Sequence, residues 1–593
     1  MHLSRLIIRG FRNFQDIDVP LAGNVVLLGE NRVGKSNFLY AIRLVMDPTL
    51  PDSARQLKLS DLWDGAPLAE DSKIEIHLDF ANFDDDPALV ALLTDLRTAG
   101  DPAVARLSYL FRKKPEVVGI PASGDDFEFL VFGGGDETRP IPYRVRKRIA
   151  IDMLDALRDA EGQLASWRNS PLRPLLEEAM NAADRAAIAG VANDLNEASQ
   201  KLVALPTVQA LEQALRADIL GLAGAAHDIN ARLRFAPADP QRLFRSIAMF
   251  IDGGRRGIAD ASLGSANVAL IALKLAEFDW RRRKNDRNYS LLCIEEPEAH
   301  LHPQLQRSVF KKLFREMPEN QATIVTSHSP TLAAVVPPKS IVHLTQTDAG
   351  TAAHSLAKLP VTPDELEDIE RYLNSTRAEI LFSRGVIFVE GDAEEALLPG
   401  FARLIGTDLD EIGVTVCNVG GTHFTPYVKL AASLGLPYVV ITDLDPLDGL
   451  NDPLGKARTL DISDARAVVT GGVPMTPVAR TTYMAVPTDQ FIATWAHTGI
   501  FLNSQTLEVS IATTPLLRGA LLQILSEQGF GRTRMARIAA WQTGTPVDAS
   551  QLLAMIADIG KGRLSSKLAA RLAAGLRPPA YIEQAIRKIA ADV

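Results

Sequence analysis

Two groups of residues in this chain have the types and spacing of phosphate chemistry. Gly29-Glu30-Asn31-Arg32-Val33-Gly34-Lys35-Ser36 is a complete phosphate-binding loop. Its glycines let backbone N–H groups curl around phosphate oxygens, Lys35 reaches the β and γ oxygens, and the Ser36 hydroxyl is a magnesium ligand. Gly29, Asn31, Gly34, Lys35, Ser36 and Asn37 are therefore the expected ATP contacts. Leu291-Leu292-Cys293-Ile294-Glu295-Glu296-Pro297 supplies the companion, an apolar run that ends in two acids. Glu295 suits the water shell of the ATP-bound Mg²⁺, and Glu296 is the expected catalytic acid that polarises the attacking water.

The second group lies in the last third. Val386-Ile387-Phe388-Val389 ends in Glu390-Gly391-Asp392-Ala393-Glu394, and Val439-Val440-Ile441-Thr442 ends in Asp443-Leu444-Asp445. Sites in parallel sheets form at the carboxyl ends of strands, which is where both clusters fall. Between them a third strand, Val414–Cys417, leads into the glycine turn Asn418-Val419-Gly420-Gly421-Thr422. Any one of these acids alone would read as a helix cap or a solvated loop carboxylate. Together they are hard oxygen ligands that suit Mg²⁺ or Mn²⁺ and not zinc. Two such ions about 4 Å apart stabilise both the attacking and the leaving oxygen of a phosphodiester displacement.

These residues need a scaffold of parallel strands, and the pattern supplies one. Residues 1–150 read as the N-terminal part of an α/β ATPase head. Strand-like alternation at Leu3–Ile8 precedes the buried run Val25–Leu28, and a helix begins near Gly34. Residues 151–238, rich in Ala, Leu, Glu and Arg, read as a helical insert suited to dimerisation. Residues 239–360 return to α/β and complete the head, with strands at Leu291–Ile294 and Ala322–Val325. Residues 361–593 read as a second α/β domain, entered through a helix around Glu365–Phe382 and closed by a helical tail beyond Gln551.

The chain has 593 residues, too many for one core. Its two cysteines, Cys293 and Cys417, exclude a disulfide framework and read as buried thiols in a reducing cytoplasm. There is no apolar signal region after Met1 and no run near the roughly 20 residues that cross a bilayer, so no membrane is expected. With 63 basic and 72 acidic residues the net charge is −9, and any DNA contact must use local basic patches. Candidates are Arg144, Arg146, Lys147 and Arg148, and Arg281, Arg282, Arg283, Lys284 and Arg287.

The first half resembles the ABC-type ATPases. Glu298-Ala299-His300-Leu301-His302-Pro303 is similar to their D-loop region, and Thr326-Ser327-His328-Ser329-Pro330 to their switch, in which His328 would contact the γ-phosphate. Gly264-Ser265-Ala266-Asn267, ahead of a helix expected over Val268–Trp280, stands where the signature element would present Ser265 to the nucleotide of a second subunit, although it departs from Leu-Ser-Gly-Gly-Gln. No glutamine could be assigned to the Q-loop.

With the acid clusters added, the chain resembles the OLD nucleases (overcoming lysogenisation defect), which join such a head to a TOPRIM domain. In that resemblance Glu390–Glu394 and Asp443–Asp445 are the metal motifs. Glu508, in Thr506-Leu507-Glu508, is a further metal ligand, and Lys561, in Lys561-Gly562-Arg563, is the catalytic lysine. Glu390, Glu394, Asp443, Asp445 and Glu508 would bind the metals, with Glu390 also placed among the catalytic groups. The resemblance further implies DNA as substrate, assembly as a homodimer or higher homo-oligomer, and a role in phage defence. The long insert looks like the group containing the Gabija nuclease subunit, which works beside a helicase-like partner. The competing reading is a DNA-repair ATPase of the RecF or SMC type without nuclease chemistry. A topoisomerase would need a positioned tyrosine nucleophile, which is not identifiable, and a transporter subunit leaves the last third unexplained.

Overall fold

The computed structural model describes residues 1–593 apart from 66, 156–169, 183–184, 224–231, 235–244, 246, 259–260, 285–286, 316–320, 374–376 and 446–453. The chain divides into two compact units, one made of residues 1–154, 289–298 and 303–593, the other of 155–288 and 299–302.

Among the described residues, three sheets build the first unit. The strand His2–Phe11 forms a hairpin with Phe14–Pro20 and pairs on its other side with Lys73–Ala81. Ala105–Lys113 and Phe127–Gly133 complete an antiparallel sheet. The second sheet runs in the order Gly350–Ser355, Ile341–Thr347, Val25–Gly29, Gln321–Thr326, Tyr289–Glu295, Ile149–Leu154, and only the Gly350–Ser355 edge is antiparallel. Val25–Leu28 are all buried, the uninterrupted apolar run expected of a strand covered on both faces. The helix Lys35–Met46 leaves the phosphate loop and buries Phe38, Leu39, Ile42 and Val45 in the core shared with the antiparallel sheet. The strand Ile149–Leu154 crosses the boundary expected at residue 150, because its apolar residues pair with Tyr289–Ile294.

The third sheet is parallel, in the order Val414–Asn418, Gly385–Val389, Tyr438–Thr442, Ile500–Leu502. The helices Asp392–Leu404 and Lys561–Ala569 pack together, and Ala580–Asp592 lies against the sheet. Their leucines and isoleucines form one core with Ile387, Val389, Val439 and Ile441. Helical structure in the tail begins at Leu507, well before Gln551. The helix expected over Glu365–Phe382 is shorter. Thr362 and Glu365 form a capping box that starts it at Pro363, and it ends at Tyr372, where Leu373 turns out of helical geometry. A separate 3₁₀ segment, Ala378–Phe382, precedes the strand. Cys293 and Cys417 are buried free thiols.

The second unit contains the helices Leu172–Ala182, Arg185–Val203, Pro206–Ala223 and Leu263–Arg283. The last of these corrects the expected Val268 start. Ser262 accepts the Ser265 amide through its hydroxyl, so Ser265 lies inside the first turn and not ahead of it. Asn267 donates to the Ala299 carbonyl. In the basic run, Arg281 pairs with Glu277 and Lys284 with Glu178, while the Arg282 side chain lies outside the described residues. In the first unit, Arg144, Lys147 and Arg148 are exposed on the helix Tyr143–Arg148. Among the described residues no single helix is long and apolar enough to cross a membrane.

Candidate functional sites: a nucleotide loop and an acidic centre

The phosphate loop depends on left-handed backbone. Gly29 has φ +150°, and a Cβ there would sit 2.6 Å from the Leu344 carbonyl. Lys35 is buried and donates to the Gly29 and Glu30 carbonyls at 2.9 Å, which folds the loop around its own ammonium. Burial lowers its pKa to about 8, against the attraction of Glu296, Glu298 and Glu295. Ser36 and Asn31 are exposed. Asn37 is engaged elsewhere: its amide donates to Asn13 and accepts from Arg12, both at 2.6 Å.

Glu295 ends its strand, and Glu296 follows at φ +44° with its N–H bonded to the Thr326 carbonyl. His328 Nε2 lies 3.6 Å from Glu296 Oε1, and burial together with Lys35 holds the imidazole pKa below its usual value. The structure thus brings Lys35, Glu295, Glu296 and His328 to one end of the sheet. Glu298, which sequence patterning treated only as loop, turns out to hold the switch. Its Oε1 accepts from Ser327 Oγ at 2.7 Å and from the His328 N–H at 2.8 Å. Another contact that the sequence did not suggest joins the phosphate loop to the third sheet. Arg384, just before the strand Gly385–Val389, pairs with Glu30 at 2.6 Å.

At the carboxyl ends of that sheet, Glu390 Oε1 accepts from the Asp443 N–H at 2.8 Å and from Thr442 Oγ1 at 2.5 Å. The two acid clusters are therefore adjacent. Glu394 and Glu508 stand in the first turns of the helices Asp392–Leu404 and Leu507–Thr513, where the helix dipole favours an anion. Lys561 opens its own helix, an unfavourable end for a cation, and pairs with Glu508 Oε1 at 3.0 Å. Burial works against its charge, but the Glu508 carboxylate outweighs this and raises the pKa.

The supporting polar residues were not legible in the sequence. Asn503, itself buried, donates to Asp443 Oδ1 at 2.5 Å and accepts from the Leu444 N–H. Asn418 donates to Asp392 and Glu395, which braces the first turn that carries Glu394. Arg458 reaches both Glu390 and Asp445. A buried polar residue next to a strand-end acid is the only sequence signal for any of these, and it cannot be read without the fold.

The donor set fits a divalent ion. All its ligands are carboxylate oxygens, and buried Glu508 Oε2 has no hydrogen-bond partner, which leaves an acceptor in want of a cation. Among the described residues no three acids already stand at ligand spacing around one point; Arg458 bridges Glu390 and Asp445, and Lys561 pairs with Glu508. Burial first, and Glu508 and Glu390 after it, push Glu394 up to about 7. Burial and then Glu390 push Asp443 up to about 8.

In metal-free solution both acids hold protons that the unfolded chain releases near pH 4. The resulting stability is fully present below that pH and is lost as pH climbs through about 7 and 8. The melting temperature in excess chelator is therefore expected to fall from about pH 5 to about pH 9, and to fall less in Asp443→Asn. An identical slope for the variant contradicts the assignment of the raised pKa.

A nucleotide loop facing a strand-end acid pair and a switch histidine, followed by a parallel sheet with acids at its strand ends, defines an ABC-type ATPase head joined to a TOPRIM domain and a helical C-terminus. Sequence profiles agree. Residues 381–445 match "Overcoming lysogenization defect protein-like, TOPRIM domain", residues 146–333 match "AAA ATPase domain", and residues 1–93 match a family of unknown function. The chain is 22% identical over 474 residues to "Endonuclease GajA" of Bacillus cereus, covering 78% of this chain and 79% of that one. It is 25% identical over 473 residues to "OLD nuclease" of Thermus scotoductus, covering 75% and 83%. The solved C-terminal region of the Burkholderia pseudomallei OLD protein is 34% identical, covers 36% of this chain and 98% of that one, and superposes with a TM-score of 0.31. The chain carries an OLD-like TOPRIM domain and an ATPase domain, and it is similar to proteins named as OLD and GajA nucleases. The two domains, with relatives named as nucleases, support a nuclease enzyme with an ATPase domain and imply nucleotide and divalent-metal binding.

Proposed function

We propose that the protein is an ATP-binding, divalent-metal-dependent DNA endonuclease that hydrolyses phosphodiesters at the acidic centre and serves in phage defence. The observation that carries this reading is the meeting of Glu390 with Thr442 and Asp443, which puts the acids of two strands and two helix starts at one sheet edge. Glu390, Glu394, Asp443, Asp445 and Glu508 would hold Mg²⁺ or Mn²⁺, which would supply an activated water and screen the charge that develops on the phosphate. Asn503 aims the Asp443 carboxylate. Lys561 leaves Glu508 to steady the negative charge of the reacting phosphate. Glu295, Glu296, His328 and the loop Gly29–Ser36 bind and hydrolyse ATP, with Ser36 on its Mg²⁺ and Ser265 serving the nucleotide of a second subunit.

The helical insert supports assembly into a homodimer or larger homo-oligomer. Leu195, Leu202, Leu211 and Leu215 stay exposed on its helices, apolar surface that a second copy would cover. A helicase-like partner belongs to the same proposal, by analogy with the Gabija system, and the protein is placed in the cytoplasm. The test is supercoiled plasmid with Mg²⁺ or Mn²⁺, with and without ATP. Relaxed or linear product that disappears with chelator is expected, and intact plasmid in every condition would return the protein to the RecF or SMC class.

A further inference from the structure

Arg458 is the residue in the acidic centre that its chemistry explains least. It sits in the first turns of the helix Leu454–Val469, and its side chain is only 10% exposed. Nη1 donates to Glu390 Oε1 at 2.5 Å, to Thr442 Oγ1 at 2.6 Å and to the Asp443 carbonyl at 3.2 Å. Nη2 donates to Asp445 Oδ2 at 2.7 Å. One guanidinium thus bridges the acids that end the Gly385–Val389 strand and those that follow Tyr438–Thr442. An arginine cannot shed its proton in a protein, so this positive charge is permanent.

Among the described residues Arg458 and Lys561 are the cations paired with these carboxylates, and Lys561 is committed to Glu508. Buried like charges must be neutralised by a partner or by protonation. Glu390 and Asp445 have their cation already. A divalent ion at Glu390 and Asp445 would meet the guanidinium's like charge and compete with it for these carboxylates.

We propose that Arg458 is a resident counter-ion that occupies one cation position of the nuclease centre, and that a divalent ion enters there only when the guanidinium withdraws. The proposal rests on the reading of this cluster as a metal site. Its consequence is a threshold: the second position fills at a higher metal concentration than the bare acids would require. Arg458 is a positioning residue in the metal-free state and a competitor during loading. If its guanidinium holds the position in nine of ten metal-free molecules, the apparent affinity there is lowered about tenfold.

The experiment is calorimetric titration of MnCl₂ into chelator-stripped full-length chain, with thermal melts on the same samples. Arg458→Gln is expected to tighten at least one Mn²⁺ position about tenfold. It should also lower the melting temperature without metal and enlarge the rise that Mn²⁺ produces. Arg458→Lys, which keeps the charge and loses the bridging fork, is expected to show a smaller gain, and it decides the matter if Arg458→Gln does not fold without metal. Unchanged or weaker Mn²⁺ uptake in the folded variant overturns the proposal. Asp443→Asn serves as the control that should lose uptake whatever Arg458 does. No Mn²⁺ uptake by the unaltered chain overturns the metal-site reading itself, and this inference with it.

Discussion

Asp443→Asn should leave plasmid DNA intact under conditions where the unaltered protein cleaves it, a loss of at least about a hundredfold. Even a partner of a metal ligand costs ten- to a hundredfold when removed, and a ligand itself costs no less. The substitution is nearly isosteric, so the fold should persist. Asp443 is buried, its Oδ1 is fixed by Asn503, and its N–H is held by Glu390. An asparagine would keep the shape and lose the anion. Nucleotide hydrolysis should be unaffected, because the phosphate loop draws on other strands. Gel analysis of supercoiled plasmid, with ATP turnover measured on the same preparation, separates the two outcomes. Cleavage by the variant within tenfold of the parent would remove Asp443 from the centre.

Lys35→Ala should have the opposite signature. ATP hydrolysis is expected to fall by about 10²–10³-fold, the usual loss when a group that stabilises transition-state charge is taken away. Lys35 is the cation that faces Glu295, Glu296 and Glu298, and it also closes the loop through the Gly29 and Glu30 carbonyls. Removing it withdraws a phosphate contact and the loop's internal tie together. Metal-dependent cleavage measured without nucleotide should persist. Phosphate release at the parental rate would show that the loop is not the hydrolytic site.

Much of this was legible because both sites sit at strand ends, and buried parallel strands leave plain apolar runs. Val25–Leu28, Leu291–Ile294, Val386–Val389 and Val439–Thr442 each end where an acid or a glycine loop begins, and the structure places each as read. Glu508 and Lys561 emerged only through family resemblance. They stand on helix first turns that tail packing brings to the sheet, and no local pattern encodes that packing. Asn503, Asn418 and Arg458 were missed for the same reason: each acts through a neighbour distant in sequence. Asn37 was drawn in by adjacency to the loop motif, yet it bonds to Arg12 and Asn13. The Leu263–Arg283 helix starts ahead of the expected Val268 because the Ser262 hydroxyl takes the Ser265 N–H.

The Glu30–Arg384 pair can carry only a faint signal between the two chemistries inside one chain. Both side chains are more than half exposed, and such pairs contribute about 1 kcal/mol at most. Linkage is reciprocal, so through this bridge nucleotide and metal can alter one another's affinity by about fivefold and no more. A stronger effect of ATP on cutting would have to run through other contacts, such as buried His343 with the Leu434 carbonyl, or through rearrangement between subunits.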